Sequence, residues 1–252
     1  MKLGKGLEMI EGLPLLYIKR LNVIACSDLH LGYEGVLAGR GSFLPKVNLR
    51  NIKKTIKAGI ESCGADRIII DGDIKNEFSG IHEDEFNELK ELVEYLRNDL
   101  QFKSIILIKG NHDNFVDRLG KPLGIEIYRQ EATVEDIFFF HGEEMPSESK
   151  ARLFVMGHIH PAITLYNSVG GREKMRCFLY GKTKEGAECI ILPAMGYFAE
   201  SVSVNIEGRE NVKEMSPMLD GSIDIDKMSA FCISEGETLN FGKVGLLRDG
   251  FF

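Results

Sequence analysis

Hydrophobic positions in the first half of the chain alternate between two patterns. Short unbroken apolar runs occupy residues 22–27, 67–71 and 104–109, as in strands buried on both faces. Between the first two runs, Ile52, Ile56 and Ile60 recur every four residues, with Lys53, Lys54 and Lys57 between them. That spacing predicts an amphipathic helix, with Gly64 as its stop. A second helix is predicted over 84–100, where Phe86, Leu89, Val93, Leu96 and Leu100 step by three or four and so share one face. Upstream, residues 7–18 read as two short strands turned at Glu11-Gly12, and 32–45 reads as a glycine-rich loop. Strand, helix, strand, helix, strand implies a parallel sheet with right-handed crossovers.

The second half changes character. Strand-like runs at 125–128, 133–135, 137–140, 153–156, 162–166, 175–180, 189–192 and 202–205 follow one another with little helix between them. They predict a second, mixed or mostly antiparallel sheet, and two facing sheets with helices outside are the economical assembly. The expected organisation is one domain over 1–252, with a core over about 1–205. Residues 206–252 form a more polar extension that ends in a hairpin at 229–234 and 238–247.

Composition narrows the function classes. The 252 residues are 44% apolar and 27% charged, which disfavours disorder and collagen-like architecture. With 31 basic and 38 acidic residues the net charge is -7, which argues against general coating of nucleic acid but leaves room for a local metal-lined site. The five cysteines form no C-x-x-C pair, and in a chain able to bury a core they read as reduced thiols of a cytosolic protein. No apolar run reaches the roughly 18 to 20 residues of a membrane span, and the start lacks the apolar block of a signal peptide. The expectation is a soluble, cytoplasmic protein that does not engage membrane.

Five of the six histidines lie in short polar motifs that directly follow apolar runs. In order, these are Asp28-Leu29-His30, Gly72-Asp73, Gly110-Asn111-His112-Asp113, His141-Gly142 and Gly157-His158-Ile159-His160. Ligands of open α/β sheets gather beyond the carboxyl ends of the strands, so five strand ends can converge on one place. Two residues apart in an extended chain, Asp28 and His30 would point to one side, as would His158 and His160. The neighbouring glycines permit sharp turns or close backbone approach. Oxygen and imidazole donors without thiolate suit Mn, Fe, Zn, Co or Ni. Asp28, His30, Asp73, Asn111, His141, His158 and His160 are too many for one tetrahedral ion and would serve two, with Asp73 shared. Any one of these motifs alone would be an ordinary turn or a satisfied core histidine; the convergence of five is what carries the reading. His82 belongs to no motif and reads as a solvated or helix-capping residue.

The series D-x-H, G-D, G-N-H-D, H and G-H-x-H resembles the calcineurin-like metallophosphoesterases. The stretch Ser27-Asp28-Leu29-His30-Leu31-Gly32-Tyr33-Glu34 and the run Ile191-Leu192-Pro193-Ala194 look most like the archaeal ICC-like and SbcD-related branch. The resemblance implies a four-layer α/β/β/α sandwich of two mixed sheets flanked by helices. It also implies a binuclear centre of two divalent transition-metal ions, often manganese. One ion would take Asp28, His30, Asp73 and His160; the other would take Asp73, Asn111, His141 and His158. His112 matches the histidine that contacts phosphate and assists the leaving group, and Asp113 matches the partner that orients its imidazole. Asn76 stands where close relatives often carry histidine; it can bind substrate or water but cannot shuttle a proton near neutral pH. Asp73-Ile74-Lys75-Asn76-Glu77 also lacks the Asp-Arg-Gly of phosphoprotein phosphatases, which disfavours that activity.

The implied reaction is hydrolysis of a phosphodiester, with hydroxide bridging the two ions as the attacking group. Its substrate would be a nucleotide, a nucleotide-linked diester or nucleic acid. The alternatives are an SbcD-like DNA-repair nuclease and a catalytically silent metal-binding scaffold. Specificity is expected in the loops at 32–45, 114–120 and 167–172. Assembly is open, with a homodimer as one arrangement.

Overall fold

The computed structural model describes residues 1–4, 6–147, 151–166 and 171–248; positions 167–170 of the third candidate specificity loop and the last four residues of the polar extension lie outside them. The first sheet holds seven strands in chain order: β1 (Lys2–Gly4), β2 (Leu7–Met9), β3 (Leu16–Ile18), β4 (Val23–Cys26), β5 (Arg67–Asp71), β6 (Ser104–Ile108) and β7 (Glu126–Tyr128). From β4 to β7 the pairing is parallel, with Ala25 opposite Ile69 and Ile69 opposite Ile106. From β1 to β4 it is antiparallel.

The second sheet is also mixed. Its strands are β8 (Glu131–Val134), β9 (Ile137–Phe140), β10 (Leu153–Met156), β11 (Pro161–Tyr166), β12 (Arg172–Lys182), β13 (Glu188–Ile191), β14 (Val202–Ser203), β15 (Ser229–Ser234) and β16 (Glu237–Lys243), with the central order β14-β11-β12-β13-β10-β9-β8. β9, β10 and β13 run parallel, so their carboxyl ends share one edge. The long β12 pairs with β11 through its first half and with β13 and β15 through its second. The hairpin β15–β16 therefore extends the second sheet rather than standing apart from it.

Side-chain alternation explains the layering. Ile24, Cys26, Ile68 and Ile70 turn outward to meet Ile52, Ile56, Leu89, Leu92 and Val93. Those residues belong to the helices α2 (Asn48–Cys63) and α3 (Glu83–Glu94). Val23, Ala25 and Ile69 turn inward against Ile137, Phe139, Val155, Phe178 and Ile190 of the facing sheet. On the far side of that sheet, Phe154, Met156, Leu179 and Ile191 pack under Val212, Met218 and Leu219. These three come from the short helices α5 (Arg209–Glu214) and α6 (Pro217–Gly221). The result is a four-layer α/β/β/α sandwich.

Three local expectations change. The 32–45 segment is not all loop: residues Tyr33–Gly39 form α1, whose Glu34 is 2% exposed and accepts hydrogen bonds from the main-chain N–H groups of Val47 (2.8 Å) and Asn48 (2.8 Å), capping α2. Phe86 leaves the buried face of α3 and is 38% exposed, while Leu92 takes a core position. The polar stretch after 206 contributes α5 and α6 as an outer layer. His82 is the N-cap of α3, in a capping box with Glu85. No helix among the described residues is long and apolar enough to cross a membrane, and all five cysteines are free.

Candidate metal centre

The five motifs follow β4, β5, β6, β9 and β10, all at the carboxyl edges of parallel strands. The backbone there is not extended. Asp28, His30, Asp73, His158 and His160 have φ of 57°, 48°, 50°, 68° and 48°. This left-handed conformation is unfavourable for residues with a Cβ. The convergence of each D-x-H or H-x-H pair thus comes from successive left-handed turns and not from strand alternation. Close packing completes it: a Cβ on Gly72 would lie 2.0 Å from His141 Nδ1, and one on Gly110 would lie 2.3 Å from Asp73 Oδ1.

Two groups of donors result. Asp28, His30, Asp73 and His160 offer ligand atoms all within 4.8 Å of one another; so do Asp73, His141 and His158, and Asp73 is common to both groups. His158 and His160, which the spacing alone would send to one ion, therefore divide between the two groups. His160 Nε2 lies 3.0 Å from Asp28 Oδ1, and His141 Nε2 lies 3.3 Å from Asp73 Oδ2 and 3.6 Å from Asp28 Oδ1. Each aspartate is held at its other oxygen by a main-chain donor from a different motif. His158 N donates to Asp28 Oδ2 (3.2 Å) and His112 N donates to Asp73 Oδ1 (2.9 Å).

The imidazoles are fixed at their outer nitrogens by main-chain carbonyls. His141 Nδ1 faces Asp71 O (2.8 Å), His160 Nδ1 faces Glu200 O (2.8 Å) and His158 Nε2 faces Met215 O (3.1 Å). A carbonyl only accepts, so each of these nitrogens carries a proton, and the other ring nitrogen is the one turned toward the cluster. Metal-binding histidines are oriented in this way. Asn111 Oδ1 is buried with no hydrogen-bond donor, and neither ring nitrogen of His30 has a hydrogen-bond partner. Unpaired buried polar atoms are costly, and this set has the oxygen-and-imidazole chemistry that suits a divalent transition metal. The donor set fits such an ion at each group.

Charge in the cluster is shared unevenly. Burial opposes ionisation of Asp28 and Asp73, but the imidazoles of His160 and His141 outweigh it and hold both carboxyls below the usual range. Burial likewise opposes a charge on His141 and His160, yet the Asp73 and Asp28 carboxylates raise both above the ordinary value. His30 and His158, dominated by burial, are pushed down to about 4. Burial and the Asp73 charge push Asp113 up to about 7.

His112 sits at the mouth of the cluster, with its side chain 18% exposed and Nε2 3.8 Å from Asp73 Oδ2. The expected pairing of Asp113 with its imidazole is not found. Asp113 is fully buried and accepts instead from Gly110 N (3.0 Å) and Lys75 N (3.3 Å), where it ties the third motif to the second. Nδ1 of His112 faces the carbonyl of Asn76 at 2.5 Å. Asn76 thus reaches the site through its main chain. Phe78, 49% exposed, lies against the imidazole with ring centroids 3.6 Å apart. The Leu192-Pro193-Ala194 segment also finds its place. Ala194 bridges to Ser27, and Met195 N and Gly196 N donate to Ser27 O and Asp28 O, bringing Glu200 to His160.

The calcineurin-like phosphoesterase profile matches residues 21–182, which contain all five of the polar motifs that follow strands. The chain belongs to that family. Among solved structures, this phosphoesterase is similar to the nuclease MPE of Pseudomonas putida, with a TM-score of 0.61 and 16% identity over 92% of this chain and 93% of the other. It also aligns with Yfce, a phosphoesterase from E. coli, with a TM-score of 0.43 and 17% identity over 88% and 98%. No match is found among curated proteins.

Proposed function

We propose that this phosphoesterase hydrolyses phosphodiesters with two divalent transition-metal ions, manganese foremost. One would be held by Asp28, His30, Asp73 and His160, the other by Asp73, Asn111, His141 and His158. The observation that carries this reading is the pair of donor groups sharing Asp73, with their nitrogens and oxygens turned inward. When bound, the ions would supply Lewis-acid charge for the phosphoryl oxygens and acidify a water. His112, whose Nε2 faces the cluster 3.8 Å from Asp73 Oδ2, is the general acid: a proton held there is delivered to the departing oxygen.

Substitution tests the assignment. His112→Ala should lower kcat on a diester with a poor leaving group by about 10²- to 10⁴-fold while metal content stays unchanged. Equal rates for variant and wild type would remove His112 from the mechanism. Absence of turnover with every metal, in a panel of diester, monoester, cyclic nucleotide and single-stranded DNA, would leave a metal-bearing scaffold in its place.

A nuclease of the SbcD-related branch is the second reading. Exposed aromatic rings favour it: Phe78 stands over His112, and Tyr197, 57% exposed, stands beside Phe198, which stacks on Tyr33. Unpaired bases stack on such rings. Cleavage of single-stranded DNA that falls steeply with salt supports the nuclease, whereas saturation by a small nucleotide with little salt effect supports a small-molecule diesterase.

A further inference from the structure

We propose that Glu85 is a positioning residue for His112, acting across the peptide unit that joins Asn76 to Glu77. This rests on the reading of His112 as the general acid. Glu85 lies in the first turn of α3 and is 1% exposed. Its Oε2 accepts from His82 N (2.6 Å), which completes the helix cap. Oε1 is surplus to capping, and both of its hydrogen bonds go to the loop after Asp73: from Asn76 N (2.8 Å) and from Glu77 N (2.5 Å).

The second bond matters most. Glu77 N–H and Asn76 C=O are opposite ends of one peptide plane, and that carbonyl faces His112 Nδ1. Carboxylate, peptide and imidazole form a continuous hydrogen-bonded chain in which each bond polarises the next. The carboxylate thereby strengthens the carbonyl as an acceptor and keeps a proton on Nδ1, which leaves Nε2 as the nitrogen turned toward the site. A direct carboxylate partner would do the same for His112, and Asp113 does not occupy that place.

The surroundings are built to hold the relay. Lys75 is 1% exposed and donates from Nζ to Glu77 O, while its main-chain N–H is held by Asp113. On the other flank, a Cβ on Gly32 would stand 2.4 Å from Glu85 Cγ, so only glycine lets α3 sit this close.

Two measurements decide the matter. In metal-free protein, ¹⁵N NMR should find His112 as the Nδ1–H tautomer in wild type and a mixture in Glu85→Ala. In the metal-loaded enzyme, Glu85→Ala should lower kcat by about 10- to 100-fold on a dinucleoside phosphate and less on bis-p-nitrophenyl phosphate, whose leaving group needs no proton. KM and metal content should hold. Glu85→Gln, whose carbonyl oxygen can accept the same two bonds, should recover part of the loss. His82→Ala weakens the helix cap without touching the loop and should leave kcat unchanged. Added to His112→Ala, Glu85→Ala should cost nothing further. An unaltered tautomer in Glu85→Ala, or losses that add to those of His112→Ala, would overturn the proposal. If His112→Ala keeps the full rate, the general-acid reading fails, and the tautomer measurement still decides whether Glu85 positions the ring.

Discussion

Each candidate ligand is fixed by a second contact, and that sets what a substitution would do. Asp73 belongs to both donor groups and accepts from His112 N. Asp73→Asn keeps the shape and removes the charge, so metal analysis after dialysis should find both ions lost, not one. Protonation is the other lever. His141 and His160 are raised in the metal-free protein, so their charged forms stabilise the fold below about pH 6.5 and that contribution is lost as pH rises through their folded values. His30 and His158, down to about 4, stay neutral in the fold while the unfolded chain takes up protons, so stability falls as pH drops from about 6.5 toward 4. Asp113 and Asp71, both raised in the fold, offset that acid-side loss, so the clear trend for metal-free protein is a melting temperature that falls as pH rises above about 6.5. Metal must displace protons from His141 and His160, so its affinity should weaken with acid, with release of about two protons per site pair. Calorimetry in two buffers of different ionisation enthalpy reads that number. The candidate ligands and His112 were legible in the sequence because each sits in a short polar motif after an apolar run. What holds them was not: Asp71, Asn76, Glu200 and Met215 act through carbonyls, which every residue possesses.

At the scale of elements, the buried strands and α2 could be read from periodicity because each buries a face of its own sequence. Ile56 of α2 is 0% exposed against the first sheet. Ile56→Ala should cost about 2–5 kcal/mol in denaturant titration and leave the metal centre intact. The short helices were not legible. α1 exists because Glu34 binds the start of α2 and because glycines let it close on α3; those contacts lie far along the chain and leave no periodic trace. α5 and α6 follow the same rule: Val212, Met218 and Leu219 are apolar singles in a polar stretch until the second sheet supplies their partners. Phe86 fails the helical pattern for the complementary reason, since position on a face does not guarantee a neighbour on the other side.

For the molecule as a whole, the sandwich brings five strand ends from two sheets to one edge, and the acidic net charge of -7 does not describe that edge. Two divalent ions would make it a local target for phosphate while the remaining surface repels long polyanions. Any nucleic acid would be short or locally held. The left-handed backbone at five candidate ligands carries a further consequence. Each such residue costs on the order of 1 kcal/mol relative to a relaxed conformation, and both ring nitrogens of His30 are buried without a hydrogen-bond partner. Holding and folding are therefore antagonistic: the sequence that grips metal best is a poorer sequence for the empty chain. His30→Gly, which relaxes the left-handed turn and removes two unpaired ring nitrogens, should leave metal-free protein at least as resistant to urea as wild type despite the lost bulk. With manganese present the order should invert. Inside a cell, chains that have not met their ions would then be the ones first exposed to proteolysis, and metal supply would set how much of the protein persists.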